Sequence, residues 1–440
     1  MMHIAHYQLE LKYKFEDQII SAPNSTIIEN TTLSRNNHNS QNMLIHGDNY
    51  QVMKYLQKSF QNKVKCIYID PPFNTGVKIN SKGMELKYHD EFEHSFWLGM
   101  MHERLIECRN LLSEDGCLFL HLDDNECAYA KILLDNIFGR SNYINTISIK
   151  THDPSGFKVT GKILFSSANY ILLYAKNKEN LKLKPLYIEK KYDKLYSYWL
   201  YNREENISLW KFENIKDAFA KIKYNTSSYK LLINEKKILK EELEVQLSEF
   251  AINNARQIFR LAPIGGGAKV KRQKFIELST KNKGIIFQCP NEKDEHFYLL
   301  NGNQILFYDK RFQIINGKLC PSEVLTNIWC DIPWNGIARE GGVTFCNAKK
   351  PESLIKRILL LSTNEGDLVL DCFLGSGTTA AVAHKMKRSW IGIEKDDQIY
   401  THAHKRLVQV LEGKDNLGIS KEMNWKGGGG FQFYELNYNT

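Results

Sequence analysis

Asp70-Pro71-Pro72-Phe73 closes the apolar run Val64-Lys65-Cys66-Ile67-Tyr68-Ile69. Two consecutive prolines fix φ and remove two backbone donors, so neither a strand nor a helix interior can continue through them. The segment reads as a rigid loop at the carboxyl end of a buried strand, where open α/β sheets place their ligands. Within four residues it offers a carboxylate, proline carbonyls with no N–H between them, and an aromatic face. Asp70 and the Pro71 carbonyl can accept the two N–H bonds of an exocyclic amino group while Phe73 stacks on the ring that carries it. Such a group is a poor nucleophile, because its lone pair is delocalised into the ring. Holding it pyramidal requires positioning and electrostatics, with no metal and no covalent intermediate.

A second constellation lies about 300 residues later. Leu368-Val369-Leu370 reads as a strand ending in Asp371-Cys372-Phe373-Leu374-Gly375-Ser376-Gly377-Thr378-Thr379. A helix follows over Ala380 to Met386, then a strand Trp390-Ile391-Gly392-Ile393 ending at Glu394. A strand, a glycine loop, a helix and an acid after the next strand make a nucleoside-binding half of a doubly wound fold. The spacing Phe-x-Gly-x-Gly argues against a dinucleotide, and no Gly-Lys-Ser/Thr follows to make a phosphate loop.

Strands and helices must alternate to position these two loops. Met43 to His46 predicts a strand, Tyr50 to Phe60 a helix, and Val64 to Ile69 the strand that delivers Asp70. A polar loop spans 74–93, a helix runs from Phe96 to Leu112, and a strand from Gly116 to Leu122. Glu126 to Phe138 reads as a helix closed by Gly139, Tyr170 to Ala175 as a strand, and Glu352 to Leu361 as a helix. The pattern implies a mostly parallel sheet with helices on its faces. It is interrupted between Asn177 and Pro351, where residues 232–260 read as one amphipathic helix. Asn301-Gly302 and Asn316-Gly317 read as hairpin turns. Asp48 can cap the Tyr50 helix or face a ligand. Asp123 and Asp124 read as caps of the Glu126 helix rather than metal ligands.

The chain has 440 residues, 42% of them hydrophobic, which suffices for two or three domains. No stretch approaches the roughly 20 apolar residues of a membrane span. Met1 to Glu10 lack a basic-then-apolar signal pattern, so the expectation is a soluble, cytoplasmic protein with no membrane partner. Nine scattered cysteines without a CxxC pair argue against zinc or a disulfide framework, and Cys66, Cys117 and Cys372 read as core residues. The net charge of +9 is local: residues 178–325 hold 27 Lys+Arg against 18 Asp+Glu, and the remainder holds 32 of each. Interleaved with Tyr and Trp, that excess points to a polyanion-binding domain. Gly265-Gly266-Gly267, followed by Lys269, Lys271, Arg272 and Lys274, reads as a phosphate-contacting loop or a hinge.

Taken together, Asp70 to Gly76, Phe373 to Thr379 and Ile391 to Glu394 resemble the amino-methyltransferases of DNA. The order of the motifs resembles the permuted beta group. Further matches are Trp97-Leu98 with Arg104-Leu105, His121 to Glu126, Lys349 to Glu352, and Trp425 to Phe431. Together they are similar to the modification subunits of type III restriction systems. The likeness covers roughly 43–177 and 326–436 and leaves out the middle.

The resemblance implies a doubly wound, Rossmann-like, circularly permuted α/β methyltransferase sheet with an inserted α+β target-recognition domain. The expected divisions are a lead-in (1–42), a catalytic half (43–177), the recognition domain (178–325), a cofactor half (326–412) and a tail (413–440). It implies S-adenosyl-L-methionine as methyl donor and an adenine flipped out of double-stranded DNA as acceptor, methylated on N6. Cytosine-N4 methylation is one alternative, although enzymes of that kind usually carry Ser in place of Asp70; a DNA-recognition and modification subunit of a type III restriction complex is the other. Asp70, Pro71, Pro72 and Phe73 are the implied catalytic loop. Lys350, with Pro351 beside it, would hold the methionine carboxylate, and Asp48 the cofactor's adenine end. Asp371, Phe373, Gly375, Ser376, Gly377, Thr378 and Thr379 would surround the cofactor, and Glu394 would take its ribose. Lys269, Lys271, Arg272 and Lys274 would contact DNA. A homodimer and a helicase–nuclease partner are left open.

Overall fold

The computed structural model describes residues 25–36, 40–75, 92–152, 164–236, 239–289, 297–315, 317–345 and 349–438. The lead-in up to Asn24, Gly76, most of the 74–93 loop and Asn316 lie outside the described residues. The chain divides into two compact units. One contains the described residues up to Pro185 and from Thr326 onward; the other is Leu186–Leu325.

The first unit is built on a ten-stranded sheet. In chain order its strands are β1 (Thr26–Glu29), β2 (Met43–His46), β3 (Val64–Ile69), β4 (Leu112–Leu122) and β5 (Tyr143–Lys150). They continue with β6 (Ala168–Ala175), β7 (Ile328–Trp329), β8 (Leu368–Asp371), β9 (Ser389–Glu394) and β10 (Gln432–Asn437). Across the sheet the order is β1-β10-β2-β9-β8-β3-β4-β6-β5-β7. The six neighbours from β10 to β4 all run parallel. β6 enters antiparallel between β4 and β5, and β1 lies antiparallel on β10. The helices are α1 (Asn49–Phe60), α2 (His94–Leu111), α3 (Cys127–Leu134), α4 (Glu352–Ser362), α5 (Thr378–Lys385) and α6 (Lys405–Leu411).

The central strands are continuous apolar runs because helices cover both faces. Leu44, Ile45, Ile67, Ile69, Leu118, Leu120, Leu370 and Ile393 are buried, as are Cys66, Cys117 and Cys372. Sheet order reverses between β8 and β3: β8 continues through β9 to β2, whereas β3 continues to β4. Such a reversal opens a crevice at the carboxyl ends of the two strands. β3 ends at Ile69, one residue before Asp70, and β8 ends at Asp371, so both motifs open into that crevice. No helix among the described residues is long and apolar enough to cross a membrane.

Several sequence expectations are corrected. The segment 232–260 is not one helix. It forms helices Tyr229–Lys236 and Lys240–Asn253, then a strand Ile258–Ala262. Leu243, Leu247 and Ala251 face the second unit's core, but the β-branched and aromatic run Ile258-Phe259 pairs with Tyr198-Trp199 instead of extending the helix. β5 escapes the hydrophobic pattern because its outward positions are polar. β1 and β10 escape it because they sit in polar, Gly- and Asn-rich surroundings and gain their partners only from the fold. The Glu126 to Phe138 helix ends its regular turns at Leu134 and widens into a π-turn over Asp135–Gly139. Asp123 does not cap that helix; its carboxylate accepts from the Asn125 backbone N–H and side-chain amide. In the second unit Asn301 and Gly302, with φ of 53° and 78°, turn Phe297–Leu300 into Asn303–Phe307 as the Asn-Gly pair predicts.

A buried charge cluster ties the segments behind the glycine loop together. Glu352, at the start of α4, accepts from Lys385 Nζ at 2.8 and 2.9 Å and from Arg406 Nη2 at 2.8 Å. Asp415 accepts from the same lysine at 2.5 Å. The second Glu352 oxygen also takes the Ile419 backbone N–H at 3.0 Å. A side chain at Gly418, whose φ is +55°, would place its Cβ 2.3 Å from that oxygen. Two cations and two carboxylates therefore offset one another's charge, and both cations hold Glu352 in its ionised form despite burial. Lys385→Met takes away the cation paired with Asp415 and leaves Glu352 with Arg406. It should lower the unfolding free energy by about 3–5 kcal/mol in urea denaturation.

Candidate active site

The Asp-Pro-Pro-Phe loop is held from below. The Pro72 carbonyl accepts the indole N–H of Trp97 at 2.8 Å, and Trp97 is fully buried on α2. Pro72 thus braces the loop through its carbonyl. Asn74, in the left-handed region at φ 57°, donates to Glu126 at 2.7 Å and accepts from the Phe92 N–H at 2.8 Å. Phe73 packs against the edge of the core, 5.8 Å between centroids from the His121 ring.

Lys350 reaches this loop from the residue before Pro351, which itself occupies the N-cap of α4. Its Nζ lies 2.5 Å from Asp70 Oδ2 and 5.0 Å from the centroid of Phe73. His121, on β4, is buried beneath the pair. Its Nδ1 is 2.8 Å from the Tyr68 hydroxyl, its Nε2 3.1 Å from Asn169 Nδ2, and Nδ1 is 4.0 Å from Asp70 Oδ1. Burial, reinforced by the Lys350 charge, pushes the imidazole pKa well below its usual value, so His121 is neutral. The Tyr68 phenol is pushed upward by burial and by Asp70 and Asp371, and stays protonated. Trp334 stands 6.4 Å from His121 and 6.5 Å from His152 by ring centroids. Nothing in the local sequence marks Tyr68, Asn169 or Trp334 as functional; His121 is visible there only as part of the His-Leu-Asp-Asp match.

The glycine loop opens from the neighbouring strand. Asp371 accepts from the Phe373 N–H at 3.0 Å and from the Thr379 hydroxyl at 2.6 Å. Glu394 accepts from the Gly375 N–H at 2.8 Å and from the backbone N–H groups of Lys395 and Asp396. Gly377, at φ 81°, starts α5, and a Cβ there would come 3.1 Å from the Ala403 Cα. Ser376 and Thr378 turn inward, where Arg406 Nη1 donates to Thr378 at 2.7 Å and to Ser376 at 3.4 Å. The hydroxyls of Ser376, Thr378 and Thr379 therefore brace the loop in this conformation, and Gly375 and Gly377 shape its path.

Asp48 caps α1, with Oδ1 accepting from Tyr50 and Gln51 N–H groups, while Oδ2 pairs with Arg104 at 2.9 Å. Its capping role is thus explicit, and Arg104 is a partner that no local pattern supplies. In the second unit Gly265-Gly266 lead into a short helix, Gly266–Lys271, with Lys269, Lys271 and Lys274 exposed. Arg272 differs: its guanidinium lies 4.0 Å from the centroid of Phe297. No group of three or more metal-ligating side chains occurs among the described residues.

The crevice thus gathers the Lys350 ammonium and the carboxylates of Asp70, Asp371 and Glu394. Burial pushes Asp371 up to about 7, with Asp70 and Glu394 adding to the rise, and burial also raises Glu394. A raised folded-state pKa means the folded protein binds the proton more tightly than the unfolded chain. The resulting stability is complete below the unfolded carboxylate value near 4 and is lost as pH rises through about 7. Asp371→Asn should remove that decline. The gap between the wild-type and variant pH–stability curves should change by up to about 4 kcal/mol between pH 4 and 8, read by urea denaturation.

Residues 64–405 match the family described as DNA methylase, N6_N4_Mtase. The probable type III restriction-modification enzyme HindVI Mod subunit of Haemophilus influenzae is 36% identical over 424 residues, 90% of this chain and 54% of that protein. The EcoPI Mod subunit of Escherichia phage P1 is 28% identical over 86% of this chain and 61% of its own length. The chain therefore spans little more than half the length of these relatives. The solved structure of M1.HpyAVI with SAM aligns over 83% of this chain and 98% of its own, at 14% identity and a TM-score of 0.39. With the two loops meeting at the sheet's switch point and the family match extending across both, the chain belongs to the N6/N4 DNA methylase family.

Proposed function

We propose that the chain methylates N6 of adenine in double-stranded DNA, using S-adenosylmethionine, as the modification subunit of a restriction–modification system. The observation that carries this reading is the meeting of Asp70 and Phe73 with the glycine loop and Lys350 in one crevice. The similarity to Mod subunits supports the restriction setting and a helicase–nuclease partner. Asp70, rather than Ser, favours adenine over cytosine.

The donor set fits S-adenosylmethionine. Lys350 would offer a cation for its carboxylate, Asp371 a buried carboxyl for its amino group, and Glu394, at the end of β9, an acceptor for ribose hydroxyls. When bound, the cofactor supplies an electrophilic sulfonium methyl. Asp70 and the Pro71 carbonyl accept the adenine N–H bonds and hold the nitrogen lone pair toward the methyl, and Phe73 stacks on the ring. A duplex hides that amino group, so the base must leave the stack, at a cost of a few kcal/mol. The Leu186–Leu325 unit is the proposed target reader, with Lys269, Lys271 and Lys274 on phosphates.

Asp70→Ala should abolish transfer of labelled methyl groups to DNA while retaining cofactor binding, measured by calorimetry; full activity in that variant would overturn the mechanism. Sequencing of DNA from cells expressing the protein identifies the modified base and the site. Replacing Lys269, Lys271 and Lys274 by Ala should flatten the slope of log affinity against log salt by about one for each of these lysines that neutralises a phosphate. An unchanged slope would remove this loop from the DNA surface.

A further inference from the structure

The proposed reaction needs two groups for the target base, the Asp70 carboxylate and the Phe73 ring, and one side chain engages both. Lys350 Nζ donates to Asp70 Oδ2 at 2.5 Å while lying 5.0 Å from the Phe73 centroid. A stacked adenine would present the same two interactions: an N–H to the carboxylate and a ring system over Phe73, within roughly 4.5–7 Å of its centroid. We propose that Lys350 holds the place of the target amino group, and that the carboxylate of the bound cofactor draws it away and so admits the base. This inference rests on the reading of the crevice as an adenine and S-adenosylmethionine site.

Charge decides the order of events. The ammonium carries a full charge and the adenine amino group none, so the base alone competes poorly for a carboxylate paired with lysine. Both side chains are largely buried, at 17% exposure for Asp70 and 11% for Lys350, which strengthens their attraction. The histidine beneath them is neutral, and both oxygens of Asp371 are engaged by the Phe373 N–H and the Thr379 hydroxyl, so neither group takes the place of Asp70 beside Lys350. A ligand carboxylate does. The lysine's four-carbon stem allows its head to swing while Pro351 fixes the backbone at the start of α4. Lys350 is on this account a positioning residue that makes the adenine pocket available only once the cofactor site is filled. Linkage then requires cofactor and target base each to tighten the other's binding.

The test uses the whole chain and duplexes carrying its mapped target, with either adenine or purine (which lacks the 6-amino group) at the methylated position. Dissociation constants are measured by fluorescence anisotropy with saturating S-adenosylhomocysteine and with its decarboxylated form, which keeps the amine. S-adenosylhomocysteine should tighten the adenine duplex relative to the purine duplex by on the order of tenfold, and the decarboxylated form should not. In Lys350→Met the preference for adenine should appear with either ligand. Equal effects of the two ligands on the wild-type protein would overturn the proposal even if the variant failed to fold. Absence of methyl transfer to any duplex would instead overturn the function itself.

Discussion

The parallel pairing of β3 with β8 is the constraint on which the rest depends. Cys66 lies opposite Val369 and Ile67 opposite Leu370, so the two strands run out together, with Asp371 level with Tyr68 and Asp70 two residues further along the neighbouring strand. Two loops about 300 residues apart thereby face one crevice. Because the sheet order reverses at this pair, the chain leaves the two strand ends in opposite directions and leaves the space between them open. The proposed transfer between a base and a methyl donor requires that proximity, and the pairing of the two strands supplies it.

The loops are rigid for different reasons. On the β3 side, proline removes backbone freedom and Trp97 fastens the Pro72 carbonyl from the core. On the β8 side, glycine gives the chain its turn, and rigidity comes from inward-facing hydroxyls. Thr379 holds Asp371, while Ser376 and Thr378 hold Arg406, which is itself fixed by Glu352. The buried charge cluster therefore acts on the site indirectly. It joins α4, α5, α6 and the segment around Asp415, and sets the path of the loop between β8 and α5. A buried ion cluster of this kind contributes less net stability than an apolar core of equal size, but it tolerates few alternative arrangements.

The site's electrostatics are those of a crowded crevice. Asp70 pairs with the Lys350 ammonium and, with Glu394, adds negative charge around Asp371, and burial raises Asp371 and Glu394. His121, tied to Tyr68 and Asn169 and kept neutral, adds no charge beside Asp70. Lys350 is therefore the group with the most influence over which charges are balanced, and its position beside Asp70 and Phe73 gives it a place in both halves of the proposed reaction.

Much of this is legible in the amino-acid sequence. Pro-Pro after an apolar run determines a stop and a rigid loop, because it removes donors and fixes φ. Phe-x-Gly-x-Gly between a strand and a helix determines a tight turn, and unbroken apolar runs determine central strands. These are local rules, and they mark Asp70, Phe73, Asp371 and Glu394. Tertiary structure alone decided the partners. Arg104 on Asp48, Trp97 on Pro72, Arg406 on Thr378 and Lys350 on Asp70 join residues 25 to 280 positions apart. The strands β1 and β10 and the break at 254–258 are likewise invisible to local pattern, because neighbours brought by the fold outweigh weak local propensity. Sequence specified which groups could do chemistry; the pairing of strands, which no local pattern encodes, decided which of them meet.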